Sequence, residues 1–203
     1  MRMICNSLLL FGLAGFATAQ NHEIGLTLGR ISGPTRSSPA GELRLDPGIA
    51  LQANYGYRFL MRRSFALSAE VHFLANGQRE IRSQNLGATR DVATAYVTPG
   101  LHLKFAPGSR VSPYVTAGGG YALYEQSHFR IDDAPNAAPR FIHRGALMFG
   151  GGIDMPVWRW LGVRLEASDF YTGNPSFNAI VNSSGQHNVV FGGGFVLAFG
   201  ARE

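Results

Sequence analysis

The sequence predicts an all-β chain whose eight antiparallel strands close into an up-and-down transmembrane barrel. Three observations support this fold class. Apolar residues alternate with small or polar ones along most of the chain, which is the period of a β-strand. Long and short connections alternate between these segments. Charged residues make up only 15% of the chain and glycines number 26, a composition that does not favour helices.

The segment His187–Phe199 shows the alternation most clearly. One of its faces is strongly apolar and carries Val189, Phe191, Phe195, Leu197 and Phe199. The other face is small or polar, with Val190 and Val196 as exceptions. A strand of this kind fits a wall with lipid on one side and a narrow, filled lumen on the other.

Seven further strands follow from the same alternation, at about Glu23–Ile31, Ile49–Phe59, Phe65–Leu74, Thr94–Phe105, Val111–Glu125, His143–Val157 and Leu161–Tyr171. Short turns are predicted at Leu60–Ser64, Ala106–Arg110 and Trp158–Trp160. The other connections are long and polar: Ser32–Pro47, Asn76–Asp91, Gln126–Ile142 and Thr172–Gln186. Short turns on one rim and long loops on the other are the layout of an outer-membrane barrel. Both chain ends are expected on the rim of the short turns.

The first residues, Met1–Ala19, have the features of a secretory signal peptide. Arg2 precedes an apolar core at Leu8–Phe16, and Ala17–Ala19 is a small-residue cleavage signal. Cleavage there leaves residues 20–203 as one barrel domain. The alternative is an anchoring helix, which needs about 20 apolar residues. Cys5 is the only cysteine, so the mature chain is expected to have no disulfide or thiolate site.

Charged side chains gather on the face opposite the apolar one. The residues predicted to face the lumen are Arg58, Glu70, His72, His102, Lys104, Arg144, Asp154, Arg164 and Glu166. A soluble lipocalin-like carrier would place the apolar face inside instead. Because eight strands leave room only for side chains, the many aromatic residues of the apolar face favour the membrane orientation.

Buried charges are costly unless they are paired, so we expect ion pairs across the lumen. The cations Arg58, Lys104, Arg144 and Arg164 would meet the acids Glu70, Asp154 and Glu166. The resulting hypothesis is a polar plug that holds the barrel closed. The alternative is a narrow, gated ion path.

The chain resembles the OmpA-like family of eight-stranded outer-membrane barrels. The resemblance rests on the signal peptide, the strand rhythm, the glycine-rich strand Tyr114–Tyr121 and the aromatic end of the last strand. It implies the outer membrane of a Gram-negative bacterium, periplasmic chain ends, a monomer, and contact with lipid, lipopolysaccharide, periplasmic chaperones and the assembly machinery. In that family the closing strand is an assembly signal, which Phe195, Leu197 and Phe199 match, although Gly200–Glu203 extends beyond it. We expect no peptidoglycan-binding domain after the eighth strand.

Similar barrels include lipid A deacylases and palmitoyl transferases, which need serine, histidine and an acid at the outer rim. His128, His143 and His187 are predicted near that rim, with Ser127 and Asp169, but they form no nucleophile motif. We therefore predict that the chain is not an enzyme and has no cofactor. His72 and His102 lie on neighbouring strands, and two histidines alone are a weak metal signal.

Two sets of residues are expected at the membrane surfaces. Trp158 and Trp160 would join an interfacial aromatic belt. The outer loops carry arginines that could bind lipopolysaccharide phosphates or form a solvated rim: Arg36, Arg44, Arg79, Arg82, Arg90, Arg130 and Arg140. The sequence contains no run of Lys or Arg residues, so it does not predict nucleic-acid binding. The predicted function is structural or surface interaction, with a low-conductance channel as the alternative and a lipid A-modifying enzyme or soluble carrier ranked below both.

Overall fold

The computed structural model describes residues 21–182 and 185–200. The predicted signal peptide, its cleavage site and residues 201–203 of the tail lie outside this range. The described residues form ten strands: β1 (His22–Ser32), β2 (Arg36–Ser38), β3 (Gly41–Leu45), β4 (Gly48–Met61), β5 (Phe65–Ser83), β6 (Asp91–Phe105), β7 (Ser112–Gln126), β8 (Phe141–Pro156), β9 (Leu161–Thr172) and β10 (Gln186–Phe199). In this part of the chain no helix is long and apolar enough to span a bilayer.

Eight of these strands close into an antiparallel ring, which confirms the predicted fold class. Each strand pairs with its neighbours along the chain, and β1 joins β10 and β4 to complete the circle. Short turns connect β4 to β5, β6 to β7 and β8 to β9 on one rim. We call this rim the turn end and the opposite rim the loop end.

The chain near the loop end contains more β-structure than the alternation predicted. β5 runs on to Ser83 instead of ending at Leu74, and the predicted loop Ser32–Pro47 contains the hairpin β2–β3. β3 pairs with the extension of β5, placing Leu45 opposite Ile81. Both side chains are buried, so inward apolar packing extends the sheet beyond the ring.

Close backbone approach explains two of the three glycines of the triplet in β7, Gly118 and Gly120. A Cβ on Gly120 would lie 2.0 Å from the carbonyl oxygen of Val97 on β6. Next to this point Thr98 and Pro99 have no partner on β7, while the register on either side is unchanged. The missing pairing at Pro99 follows from its chemistry, because proline has no N–H to donate.

Exposure separates the two faces of the wall. Phe191 and Phe195 are 62% and 58% exposed on the outside, whereas Arg164 on the inside is 0% exposed. The apolar face therefore points outward, as the membrane orientation requires. A lipocalin-like barrel has the opposite arrangement and is excluded.

Candidate functional site: the barrel lumen

Two kinds of side chain face the lumen, at two levels. Towards the turn end lies a charge network of Glu23, Arg58, Glu70, His72, His102, Lys104, Asp154, Arg164 and Glu166. Towards the loop end lies an apolar cluster whose large members include Ile31, Leu74, Tyr96, Tyr124, Met148, Phe170 and Phe177. The strand alternation brings both sets inside, since every second residue of each strand faces the lumen.

The lower part of the charge network is a chain of alternating charges. Arg164 binds Asp154 with two parallel hydrogen bonds of 2.8 and 2.9 Å. Lys104 Nζ lies 2.8 Å from Asp154 and 2.9 Å from Glu23. Glu23 also accepts a hydrogen bond from Arg58. Each charge thus has a neighbour of opposite sign, which offsets the cost of burying it.

The upper part of the network is centred on Glu70. Its carboxylate lies 2.6 Å from His102 Nδ1, 3.4 Å from His72 Nε2 and 3.6 Å from Arg164 Nη1. Asn54 donates to it as well. The network therefore joins four strands, β4, β5, β6 and β9, through one carboxylate.

Glu166 is held by neutral donors instead of cations. Its oxygens accept hydrogen bonds from Gln52 at 2.5 Å, Tyr114 at 2.7 Å and Ser168 at 2.9 Å. The ring of Tyr114 also stacks on His102 at 4.4 Å and lies 4.7 Å below the guanidinium carbon of Arg164. Tyr114 thus connects Glu166 to the rest of the charge network.

One of the predicted lumen residues lies elsewhere. Arg144 does not reach an acid of the charge network, because it is near the start of β8 at the loop end. Its Nε and Nη2 donate to the backbone oxygen of Asn174 at 3.2 and 3.1 Å. Conversely, Glu23 was missed, although the alternation of β1 places it on the inward face with Gly25 and Thr27.

His72 and His102 approach the same carboxylate, but they form no metal centre. Within the described residues, no group of three histidine, cysteine, aspartate or glutamate side chains has the geometry to hold a metal ion. His72 contributes hydrogen bonds instead, and the Nδ1 of His102 lies beside Glu70. His72 lies 3.3 Å from both Gln52 Nε2 and Thr116 Oγ1.

The histidines near the loop end have partners other than serine. His187 Nδ1 lies 2.7 Å from Asp169 Oδ2 on the outer surface. His143 contacts Tyr121, and His128 contacts Arg140. Across residues 21–182 and 185–200, no serine hydroxyl hydrogen-bonds any of these rings. Ser127 Oγ accepts a bond from the backbone N–H of Phe129.

Two of the arginines expected on the outer loops are inside. Arg36 and Arg79 are 3% and 2% exposed, because β2 and the extension of β5 turn them towards the barrel axis. Four others pair with acids at the surface: Arg82 with Asp46, Arg90 with Asp133, Arg130 with Asp132 and Arg140 with Glu125. Arg44 is exposed.

The aromatic residues singled out at the turn end lie on the outer surface. Trp158 and Trp160 stack with parallel rings 6.5 Å apart in the β8–β9 turn. Phe195 and Leu197 are exposed on the outer face of β10, and Phe199 stacks on His22 at 5.5 Å. A cavity of about 740 Å³ opens at this end and is lined by Glu23, Lys104 and both tryptophans.

Comparison with solved structures identifies the same fold in small outer-membrane barrels. Neisserial surface protein A is 13% identical with a TM-score of 0.56, and the alignment covers 88% of this chain and 97% of that one. OprG from Pseudomonas aeruginosa is 13% identical with a TM-score of 0.56, covering 92% and 99%. AlkL, determined in lipid bilayers, is 13% identical with a TM-score of 0.51, covering 92% and 93%.

Sequence comparison adds no relative: no family model and no curated protein matches the chain. The structural likeness therefore establishes the fold, an eight-stranded barrel of the outer-membrane type, and supports a location in the outer membrane.

Proposed function

We propose that this chain is a closed outer-membrane barrel that displays its long loops at the cell surface. The turn end and both chain ends face the periplasm in this arrangement. The supporting observation is the filling of the lumen at two successive levels, the charge network and the apolar cluster.

Each level opposes ion passage for a different reason. In the charge network, Arg164 and Glu70 are buried and mutually compensated, so a passing ion would have to break existing pairs. In the apolar cluster, Leu74, Tyr96 and Phe170 are buried, and an ion there would lose its hydration without compensation. Eight strands leave no space for a second path.

Single-channel recording tests this proposal. The folded full chain is inserted into planar bilayers beside Lys104→Met, in the charge network, and Arg130→Met, in the surface pair with Asp132. A closed barrel gives no conductance steps in the unmodified chain or in Arg130→Met. Reproducible steps in the unmodified chain, altered by Lys104→Met and not by Arg130→Met, would contradict it.

The second candidate is a low-conductance channel, which a different observation favours. The cavity at the turn end reaches Glu23, Lys104 and Asp154, so water has access to the lower charges. Glu70 also lies near two histidines and Arg164, so one pair can break while others remain. The same recordings separate the two candidates.

The exposed arginines of the loops support lipopolysaccharide phosphate as the surface partner. Arg82, Arg90, Arg130 and Arg140 alternate with acids, so we expect weak, salt-dependent binding. Lipopolysaccharide with its phosphates should bind the folded barrel more tightly than dephosphorylated lipopolysaccharide. Equal binding of the two would remove this part of the proposal.

The proposal also covers the state of the folded barrel. The barrel acts as a monomer without enzymatic activity or cofactor.

The last part of the proposal concerns assembly. Periplasmic chaperones and the assembly machinery bind the chain before insertion, and Phe195, Leu197 and Phe199 are the assembly signal. Replacing Phe199 with alanine should slow insertion, measured by the heat-modifiable shift of the folded band. Phe149→Ala, at an exposed position in the middle of β8, should have less effect.

A further inference from the structure

Three arginines near the loop end face no acid. Arg36 Nη1 donates to Asn174 Oδ1 at 2.7 Å and to the carbonyl oxygen of Pro175 at 3.2 Å. Arg79 Nη2 donates to Asn188 Oδ1 at 3.0 Å. Arg144 binds the backbone of Asn174. Among residues 21–182 and 185–200, no carboxylate forms an ion pair with any of them, unlike the arginines of the charge network.

Two of these guanidinium groups also have unused donors. Nε and Nη2 of Arg36 and Nε and Nη1 of Arg79 are buried without a hydrogen-bond acceptor. Burial lowers the pKa of Arg36 to about 10, with Tyr124 offsetting part of that effect, so the group stays charged at neutral pH. A buried, unpaired cation is costly, and a bound anion would remove that cost.

Phe177 packs against the guanidinium group of Arg36. Its ring is 5.2 Å from the guanidinium carbon of Arg36 and packs edge-on against Tyr124 at 5.5 Å. Asn188 Nδ2 lies 3.5 Å from the Tyr124 hydroxyl, and Arg79 binds the same amide. An aromatic ring thus already covers one buried cation with free donors, that of Arg36, and Tyr124 and Asn188 separate it from Arg79.

The segment that carries Phe177 has a strained backbone and lies outside the ring of strands. Phe177 and Asn178 both have positive φ angles, 43° and 55°, a conformation that costs a residue with a side chain about 1 kcal/mol or more. Their segment is a connection between β9 and β10 and not part of the ring. Moving it breaks no strand pairing, and the backbone bond that Phe177 would lose is the one from the N–H of Thr89 to its carbonyl oxygen, 3.0 Å long.

A pocket leads from the surface to this segment. β8 begins at Phe141, but its pairing with β9 begins only at Ala146, so the upper part of β8 has a strand on one side only. The gap holds a pocket of about 530 Å³ lined by Phe141, His143, Arg144, Ser176 and Asn178. Its last two lining residues flank Phe177 directly.

We propose that the loop end contains a binding site for an arylcarboxylate, in which the ligand's ring takes the place of Phe177 and its carboxylate binds the free N–H groups of Arg36. Arg144 attracts the anion at the pocket mouth. This goes beyond the proposed function, because binding at the loop end requires no passage through the lumen.

Calorimetry with the folded full chain tests the proposal, using phenylacetate as the probe. Benzyl alcohol supplies the ring without the charge, and acetate supplies the charge without the ring. We expect phenylacetate to bind at least tenfold more tightly than either, since charge-assisted hydrogen bonds contribute that much. Equal binding of benzyl alcohol, or no binding of phenylacetate at millimolar concentration, would overturn it.

Variants locate the site. Arg36→Gln should weaken phenylacetate binding about tenfold, whereas Arg82→Gln, in a surface pair with Asp46, should leave it unchanged. Phe177→Ala removes the competing ring and should tighten binding. It also keeps the test decisive if an arginine variant fails to fold, because unchanged or weaker binding in Phe177→Ala contradicts the proposal.

Discussion

The turn-end half of the lumen is held by ionic contacts, whereas the loop-end half is held by apolar packing. The same strands build both halves: β5 contributes Glu70 and His72 to one and Leu74 to the other. The stability of the turn-end half depends on charge pairing, since removing one charge leaves another buried and uncompensated. The stability of the loop-end half depends on side-chain volume, since removing atoms leaves a cavity. The comparison predicts different responses to mutation.

The largest effect is expected at Arg164, which binds Asp154 twice and approaches Glu70. Arg164→Met should destabilise the folded barrel by about 3–5 kcal/mol, because two acids lose their buried partner. Denaturant unfolding in lipid vesicles measures this. Arg130→Met, which breaks an ion pair at the surface, is the matched control and should cost under about 1 kcal/mol.

A double variant sharpens this prediction. Arg164→Met combined with Asp154→Leu should recover part of the lost stability, since it replaces charges with apolar groups in place of leaving one unpaired. A double variant as unstable as the two single changes added together would show that the pairing is not the cause.

The next effect is expected at Leu74, buried in the apolar cluster. Leu74→Ala should cost about 2–5 kcal/mol through lost contacts and a residual cavity. Leu28→Ala removes the same atoms from the outer face, where lipid can fill the space, and should cost clearly less. Equal losses at the two positions would mean that the apolar cluster is loosely packed.

A smaller effect is expected where β6 and β7 approach each other. Gly120→Ala should destabilise the barrel by about 1–3 kcal/mol, because the added methyl meets the carbonyl oxygen of Val97. Gly119→Ala places its methyl in ordinary contact with Leu147, 3.6 Å away. The same unfolding assay should find it close to the unmodified chain, and similar losses for both variants would contradict the steric cause.

The smallest effect is expected outside both halves, at Asp132 in a surface loop. The hydrogen bond from Arg130 lowers the pKa of Asp132. Any stability from this pair is therefore present above the usual aspartate pKa and lost as the pH falls through the lowered value. An NMR titration should show that pKa rising in Arg130→Gln, with little change in the unfolding midpoint. An unchanged pKa would exclude the pair as its cause.

The strand positions and the orientation of the wall were predictable from the sequence. Alternation is a local property, because consecutive side chains of a strand point to opposite faces whatever the strand packs against. The same rule placed Glu70, Lys104 and Arg164 inside, and it would have placed Glu23 there too. It could not show which of the inward side chains contact one another, since those contacts depend on which strands face each other across the barrel.

The tertiary structure decided what lies at the loop end. The alternation does not show how far along the barrel axis a residue lies, so Arg144 was grouped with charges that lie at the other end of the barrel. The hairpin β2–β3 and the long β5 form because Leu43, Leu45 and Ile81 find apolar neighbours there, which the sequence does not name in advance. That packing turns Arg36 and Arg79 inward. The sequence by itself thus determined the wall and its two faces, through contacts between near neighbours in the chain. Which inward side chains form the charge network and which form the apolar cluster was decided only by contacts between strands that are distant in sequence.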